Sequence, residues 1–330
     1  MPVTRALGSS GLQITTVGLG TWAMGGPGQM GWGPQSDQDS IAAIHRAVES
    51  GINWIDTAPV YGHGHSETVV GQALRTLPEP DRPLVFSKCG LLWDEQRNER
   101  NDLTPVSIKR ECEDSLRRIG IDCLDLFQIH EPHPDGPPIE ESWAAMRELV
   151  DAGKTRAIGV SNFDVELLER CEAVAHVDSL QPPFSLIRRE AAADVIPWCA
   201  SHDTGVIVYG PIQAGLLSGR FTAERAAALS DDDWRSRNDE FSEPRLSRNL
   251  ALQASLTEIA ARRGMTAAEF AIAWTTTWPG VSGAIVGART AEQVDGWVSA
   301  SGLGLTDAEL TLIRTALTDS GAGSGPSIPA

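Results

Sequence analysis

Eight short apolar runs recur along the chain, separated by segments of helical periodicity: VGLG (17–20), INWIDT (52–57), PLVFSK (83–88), CLDLFQIH (123–130), TRAIGV (155–160), VDSLQ (177–181), GVIVYG (205–210) and GAIVGA (283–288). Runs this apolar are buried on both faces, the condition of a parallel sheet covered by helices. The segments between them carry helix punctuation. Ser36 precedes a run with Ile41, Ile44 and Val48 on one face that stops at Gly51. Thr104-Pro105 opens another, with Ile108, Cys112, Leu116 and Ile119 facing inward before Gly120. Eight such strand–helix units favour closure into an α/β (β/α)8 TIM barrel over an open doubly wound sheet, and put any active site at the strand C-termini.

Residues 3–16, with GSSG between VTRAL and LQITTV, form an expected N-terminal β-hairpin plugging the opposite end of the barrel. Two long insertions follow strand C-termini, residues 21–36 and 220–247, and both are expected to be substrate-side loops on the C-terminal face. No linker divides the chain, so residues 1–317 are expected to be one domain. Residues 318–330, ending DSGAGSGPSIPA, are expected to be a disordered tail.

Composition removes several classes of function. A net charge of −17 argues against nucleic acid or an anionic membrane as partner. No apolar run approaches the ~20 residues that span a bilayer. The N-terminus has neither a signal-peptide core nor a presequence pattern, so a cytoplasmic protein is expected. Five widely spaced cysteines without a CxxC pair indicate neither a disulfide framework nor structural zinc. The sequence leaves the oligomeric state open.

Barrel logic brings together Asp56 after strand two, Lys88 ending strand three and His130 ending strand four, with Tyr61 just beyond strand two. Alone, each has an ordinary reading: a packed Tyr, a turn-capping Asp, a solvated Lys, a hydrogen-bonded His. Together they have a chemical purpose. An ammonium beside a phenol favours its phenolate, so Lys88 is expected to lower the Tyr61 pKa, with Asp56 orienting Lys88. His130 can donate to a carbonyl oxygen beside Tyr61, and the assembly suits protonating that oxygen as a hydride reaches carbon.

Hydride chemistry requires a donor. Ser161, Asn162 and Gln181 could hydrogen-bond a nicotinamide carboxamide, and Tyr209 offers an aromatic face. Arg289 precedes a helix whose N-terminus would face a phosphate, and Arg220 could neutralise a pyrophosphate. GVSNF (159–163) alone is equally an ordinary N-cap.

Taken together, GLGTW (18–22), IDTAPVYGHGHSE (55–67), FSKCG (86–90), LFQIHEPHP (126–134), IGVSNF (158–163), Gln181, YGPIQAGLLSG (209–219) and VGAR with Gln293 resemble the aldo-keto reductase family over nearly the whole length. The resemblance implies a metal-free barrel that binds extended NADPH and reduces aldehydes or ketones, with Tyr61 as general acid/base and Asp56, Lys88 and His130 as partners. The 220–247 insertion and GLLSGR resemble the bacterial branch related to potassium-channel beta subunits. That likeness implies a cofactor lined by Thr21, Trp22, Asp56, Ser161, Asn162, Gln181, Tyr209, Gly210, Pro211, Ile212, Gly215, Arg220, Gly287, Arg289 and Gln293. Arg289 favours a 2′-phosphate, hence NADP(H) over NAD(H).

The chain departs from the family pattern at Glu131, where Trp is common, at Gly210, where Ser is common, and at Trp297, where an adenine-binding Asn is common. Substrate is expected to enter past Trp32, Trp93, His130 and the 220–247 loop, a mouth fitting an aldehyde, quinone or cyclic sugar. GPGQMG (26–31) matches GxGxxG, but WGPQ follows instead of a helix, so it reads as a loop over the mouth. His63 and His65 beside Asp56 raise the question of a metal, which Lys88, a cation in the same place, disfavours. The expected activity is NADPH-dependent carbonyl reduction. An alcohol or sugar dehydrogenase working in the oxidative direction and a slow-turnover NADP redox sensor are the alternatives.

Overall fold

The computed structural model describes residues 2–27, 31–230 and 233–328. Eight strands close a barrel: β1 Val17–Gly20, β2 Trp54–Asp56, β3 Leu84–Cys89, β4 Leu124–Ile129, β5 Thr155–Ser161, β6 Ser179–Gln181, β7 Gly205–Tyr209 and β8 Val281–Gly287. Every neighbouring pair is parallel and in sequence order, with β8 returning to β1, so this is a (β/α)8 TIM barrel as expected. Each strand needs a crossover to lie parallel to its predecessor, and the helices supply it.

The helix punctuation acts as read. Ser36 accepts from the Asp39 N–H ahead of Asp37–Glu49, and Thr104 accepts from Ser107 ahead of Pro105–Ile119, which Gly120 ends in a left-handed cap. Strand and helix faces meet in one continuous apolar layer that includes Ile44, Val70, Cys112 and Trp143.

A second cluster fills the barrel interior. Strands Thr4–Ala6 and Gln13–Thr15 pair as an antiparallel hairpin, and Leu7, Leu12 and Ile14 pack against Trp54, Phe86, Leu126 and Ile207. The Trp54 Nε1–H donates to Thr15 O at 2.8 Å, pinning plug to barrel. One end of the barrel is therefore closed by apolar side chains, and polar groups gather at the other.

The tail departs from expectation. The last helix runs Asp307–Ser320, and the segment after it packs. Arg189 N–H donates to Ser324 O (3.0 Å), Ser324 N–H to Ile187 O (3.2 Å), and the Arg189 guanidinium to Gly325 O (3.2 Å) and Ala322 O (3.3 Å). The glycine-rich composition that reads as disorder also lets backbone lie against backbone and satisfy a buried guanidinium. No helix among the described residues is long and apolar enough to cross a membrane.

Candidate active site

Asp56 ends β2, and Lys88 lies one residue from the end of β3. Lys88 Nζ donates to Asp56 Oδ1 at 2.6 Å, to Thr57 O at 3.0 Å and to the Tyr61 hydroxyl at 3.4 Å. The side chains of this pair are 0% and 3% exposed, so the pair persists only if its remaining hydrogen-bonding capacity is met. Gln181 and Gln128 meet it, their Nε2 groups 2.9 and 3.5 Å from Asp56 Oδ2. Sequence reading named Gln181 but not Gln128. Its signal was a polar residue between Phe127 and Ile129 near the C-terminal end of β4.

The turn that carries Tyr61 is held from behind. Thr21 donates through both N–H (3.0 Å) and Oγ1 (3.1 Å) to Asp56 O. Ser66 Oγ lies within hydrogen-bond distance of Thr21 O (3.1 Å), Thr21 Oγ1 (2.8 Å) and Thr57 Oγ1 (3.0 Å). Glu67, fully buried, accepts from Ser87 Oγ at 2.6 Å, next to Lys88, and from Arg118 Nε at 2.5 Å. Gly62 has φ +64° and presses on Gly25, where a Cβ would stand 2.1 Å from the carbonyl oxygen. Only glycine meets both conditions.

The electrostatics of Tyr61 run opposite to expectation. Burial, and then the charges of Asp56 and Glu131, hold its hydroxyl well above the usual phenol range. Lys88 faces Asp56 more closely than it faces the phenol, so its charge is largely spent there. Tyr61 thus rests as an acid. His130, its ring edge-on to Tyr61 at 5.7 Å between centroids, is held well below the usual imidazole range by burial and then by Lys88. It is neutral at physiological pH and can donate one ring N–H.

Tyr61, His130 and Asp56 open onto a cavity of about 880 Å³, which is also lined by all fifteen residues expected to hold a cofactor, from Thr21 and Trp22 to Arg289 and Gln293. The Tyr209 hydroxyl donates to Asn162 Oδ1 (2.9 Å), and Asn162 Nδ2 donates to Glu131 Oε1 (2.6 Å). Ser161 Oγ donates to Gln181 O (2.9 Å). Gly210 has φ +70° and nothing within 4 Å of a would-be Cβ, leaving room over the backbone. At the far end, Arg289 Nε donates to Gln35 Oε1 (2.7 Å) and another guanidinium N–H donates to Pro34 O. The indole N–H of Trp297 is buried without a partner among the described residues. A long groove with amide groups at one end and a guanidinium at the other fits an extended dinucleotide.

Substrate-side expectations divide. Trp32 lines the cavity in an aromatic cluster with Trp22 and Trp234, ring centroids 5.4 to 5.7 Å apart. Trp93 does not. It lies in the Leu91–Trp93 strand of a small hairpin and packs edge-on against His63 at 5.3 Å, outside the cavity lining. Of the short strand pair that carries it, Leu91 and Glu99 line the cavity and Trp93 does not. Trp234, from the 220–247 insertion, lines the cavity wall beside Trp22 and Trp32. The GPGQMG motif lies partly outside the described residues. No group of three or more His, Cys, Asp or Glu side chains among the described residues could hold a metal ion; His65 instead pairs with Asp37 at 2.8 Å.

The aldo/keto reductase family model matches residues 16–318. The chain belongs to the aldo/keto reductase family. As a member it is an oxidoreductase, and its relatives include both reductases and dehydrogenases. It is 36% identical over 313 residues to the aldo-keto reductase YhdN of Bacillus subtilis, covering 94% of this chain and 92% of that one. It is 33% identical over 321 residues to the NADH-specific methylglyoxal reductase of Escherichia coli, covering 93% and 96%. Among solved structures, a glycerol dehydrogenase from Gluconobacter oxydans superposes with a TM-score of 0.88 at 37% identity, covering 98% and 97%.

Proposed function

We propose that this aldo/keto reductase reduces an aldehyde or ketone to an alcohol with NADP(H), Tyr61 being the general acid. The observation that carries the reading is the buried Lys88–Asp56 pair set against the Tyr61 hydroxyl at one end of the dinucleotide-sized cavity. Nicotinamide bound there would supply the two electrons that reduce the carbonyl carbon. The residues of the chain do the rest. His130 N–H and the Tyr61 O–H converge on the carbonyl oxygen, and Tyr61 gives up its proton as negative charge develops there. Lys88 then faces the phenolate that remains. Ser161, Asn162 and Gln181 would hold the carboxamide, and Tyr209 would back the ring.

Arg289 supports a preference for NADP(H), because a guanidinium forks onto phosphate. The E. coli relative is named for NADH, so the preference belongs to this proposal. The 220–247 insertion and GLLSGR are the grounds for placing the chain near the potassium-channel beta-subunit branch. Buried, unpaired cysteines suit a reducing cytoplasm. The oxidative direction is a second reading, favoured by the likeness to a glycerol dehydrogenase.

Titrating the protein with NADPH and NADH by fluorescence, then adding aldehydes or, with NADP+, polyols, tests the proposal. The expected result is tighter binding of NADPH and carbonyl-dependent oxidation insensitive to chelators. Tight binding with no turnover in either direction would replace catalysis by redox sensing. No binding of either nucleotide would refute the reading.

A further inference from the structure

We propose that Glu131 makes this site selective for short carbonyl compounds carrying a hydroxyl next to the reacting carbon, an inference that rests on the reductase reading above. Glu131 follows His130 at the mouth of β4 and lines the same cavity as Tyr61. Its carboxylate is fixed, because Oε1 accepts from Asn162 Nδ2 at 2.6 Å while Asn162 Oδ1 is held by the Tyr209 hydroxyl at 2.9 Å. Oε2 accepts no hydrogen bond among the described residues. Arg188 lines the same cavity, and its charge acts on both Glu131 and Tyr209. The carboxyl group thus lines the chamber in which the substrate carbonyl must lie, with one oxygen unclaimed among the described residues.

That oxygen sets a condition on the substrate. A molecule that displaces water from it without offering a donor leaves a half-buried carboxylate oxygen unsatisfied, whereas a hydroxyl replaces the lost hydrogen bond. Across the chamber, Trp22 and Trp234 stack at 5.5 Å and 29° beside Tyr61, giving an apolar wall for the C–H face of the same molecule. A short hydroxyaldehyde or hydroxyketone answers both surfaces. A plain alkyl aldehyde answers only the wall.

The test compares kcat/KM for glyceraldehyde and propanal, which share a three-carbon skeleton, in the wild type and in Glu131→Met and Glu131→Gln, with NADPH or NADH as reductant. Taking the glyceraldehyde-to-propanal ratio within each protein cancels effects common to both substrates. The ratio should fall roughly 10- to 100-fold in Glu131→Met, the value of a hydrogen bond to a charged acceptor, and less in Glu131→Gln, which keeps a neutral acceptor. Should Glu131→Met not fold, a fall of a fewfold or more in Glu131→Gln carries the test. An unchanged ratio, or a loss shared equally by both substrates, would overturn the inference while leaving the reductase reading intact. Oxidation of neither NADPH nor NADH by either carbonyl in the wild type would overturn both.

Discussion

The two ends of the long cavity are built differently. At the Tyr61 end the groups that support the hydroxyl are committed to one another: Lys88 to Asp56, Asp56 to Gln181 and Gln128, Glu67 to Ser87 and Arg118. At the Arg289 end the contacts join exposed or half-exposed groups, Arg289 to Gln35 and Pro34, across the gap between an insertion and the β8 loop. A preorganised cluster is what proton transfer needs, since its donors must already point where charge will develop. A dinucleotide's phosphate end needs only attraction, which an adjustable guanidinium supplies.

Breaking the buried end should therefore cost stability and activity together. Lys88→Met strands Asp56 as an unpaired buried charge and should lower stability by about 3–5 kcal/mol, read as a drop in the urea midpoint, with turnover lost. Adding Asp56→Asn should restore much of the midpoint and none of the turnover. If the double variant is as unstable as the single, the charge argument fails.

Next in size is a pH effect behind the site. Burial lifts the Glu111 carboxyl from its ordinary 4.5 to about 7, against the opposing hydrogen bonds from Gly90 N–H and Ser107. The folded state therefore holds a proton that the unfolded chain has released. Stability should fall as pH rises from about 4.5 to 7, by up to about 3 kcal/mol, and level off above. Glu111→Gln should flatten that slope in urea melts taken across the range. An equal slope in the variant would assign the effect elsewhere.

Gly62→Ala sharpens the comparison further. A methyl 2.1 Å from Gly25 O must push the Tyr61 turn away from the Trp22–Gly25 helix. The expected stability cost is about 1–3 kcal/mol, with kcat falling roughly 10- to 100-fold because the phenol moves. Unaltered kcat would mean that the turn does not position Tyr61. The smallest effect lies at the other end: Arg289→Ala should weaken NADPH binding roughly 10-fold, leave NADH binding and the melting temperature nearly unchanged, and so separate phosphate recognition from fold. Equal weakening of both nucleotides would remove the guanidinium from the 2′-phosphate.

The same contrast explains what was legible in the sequence. The barrel was legible because strand burial and helix caps are local patterns, and the tetrad because successive strand ends must share one rim. Its supports were not. Ser66 and Glu67 look like the first turn of an ordinary helix, and only the packing of that helix brings them to Thr21 and Ser87. The direction of the Tyr61 shift failed for a related reason: spacing reveals that an ammonium is near, but not that a carboxylate is nearer to it. Trp234 was hidden within a long insertion, and Trp93 was credited to the mouth because a three-residue strand leaves no periodicity to orient its side chain. The tail misled because glycine-rich composition serves close backbone packing as well as disorder.

The most direct test of a preformed proton donor is to measure nucleotide binding and carbonyl turnover side by side in the wild type and Tyr61→Phe. The account predicts NADPH affinity within about twofold and turnover reduced roughly 100- to 10,000-fold, the range for loss of a positioned acid. Tyr61→Phe turning over near the wild-type rate would contradict it.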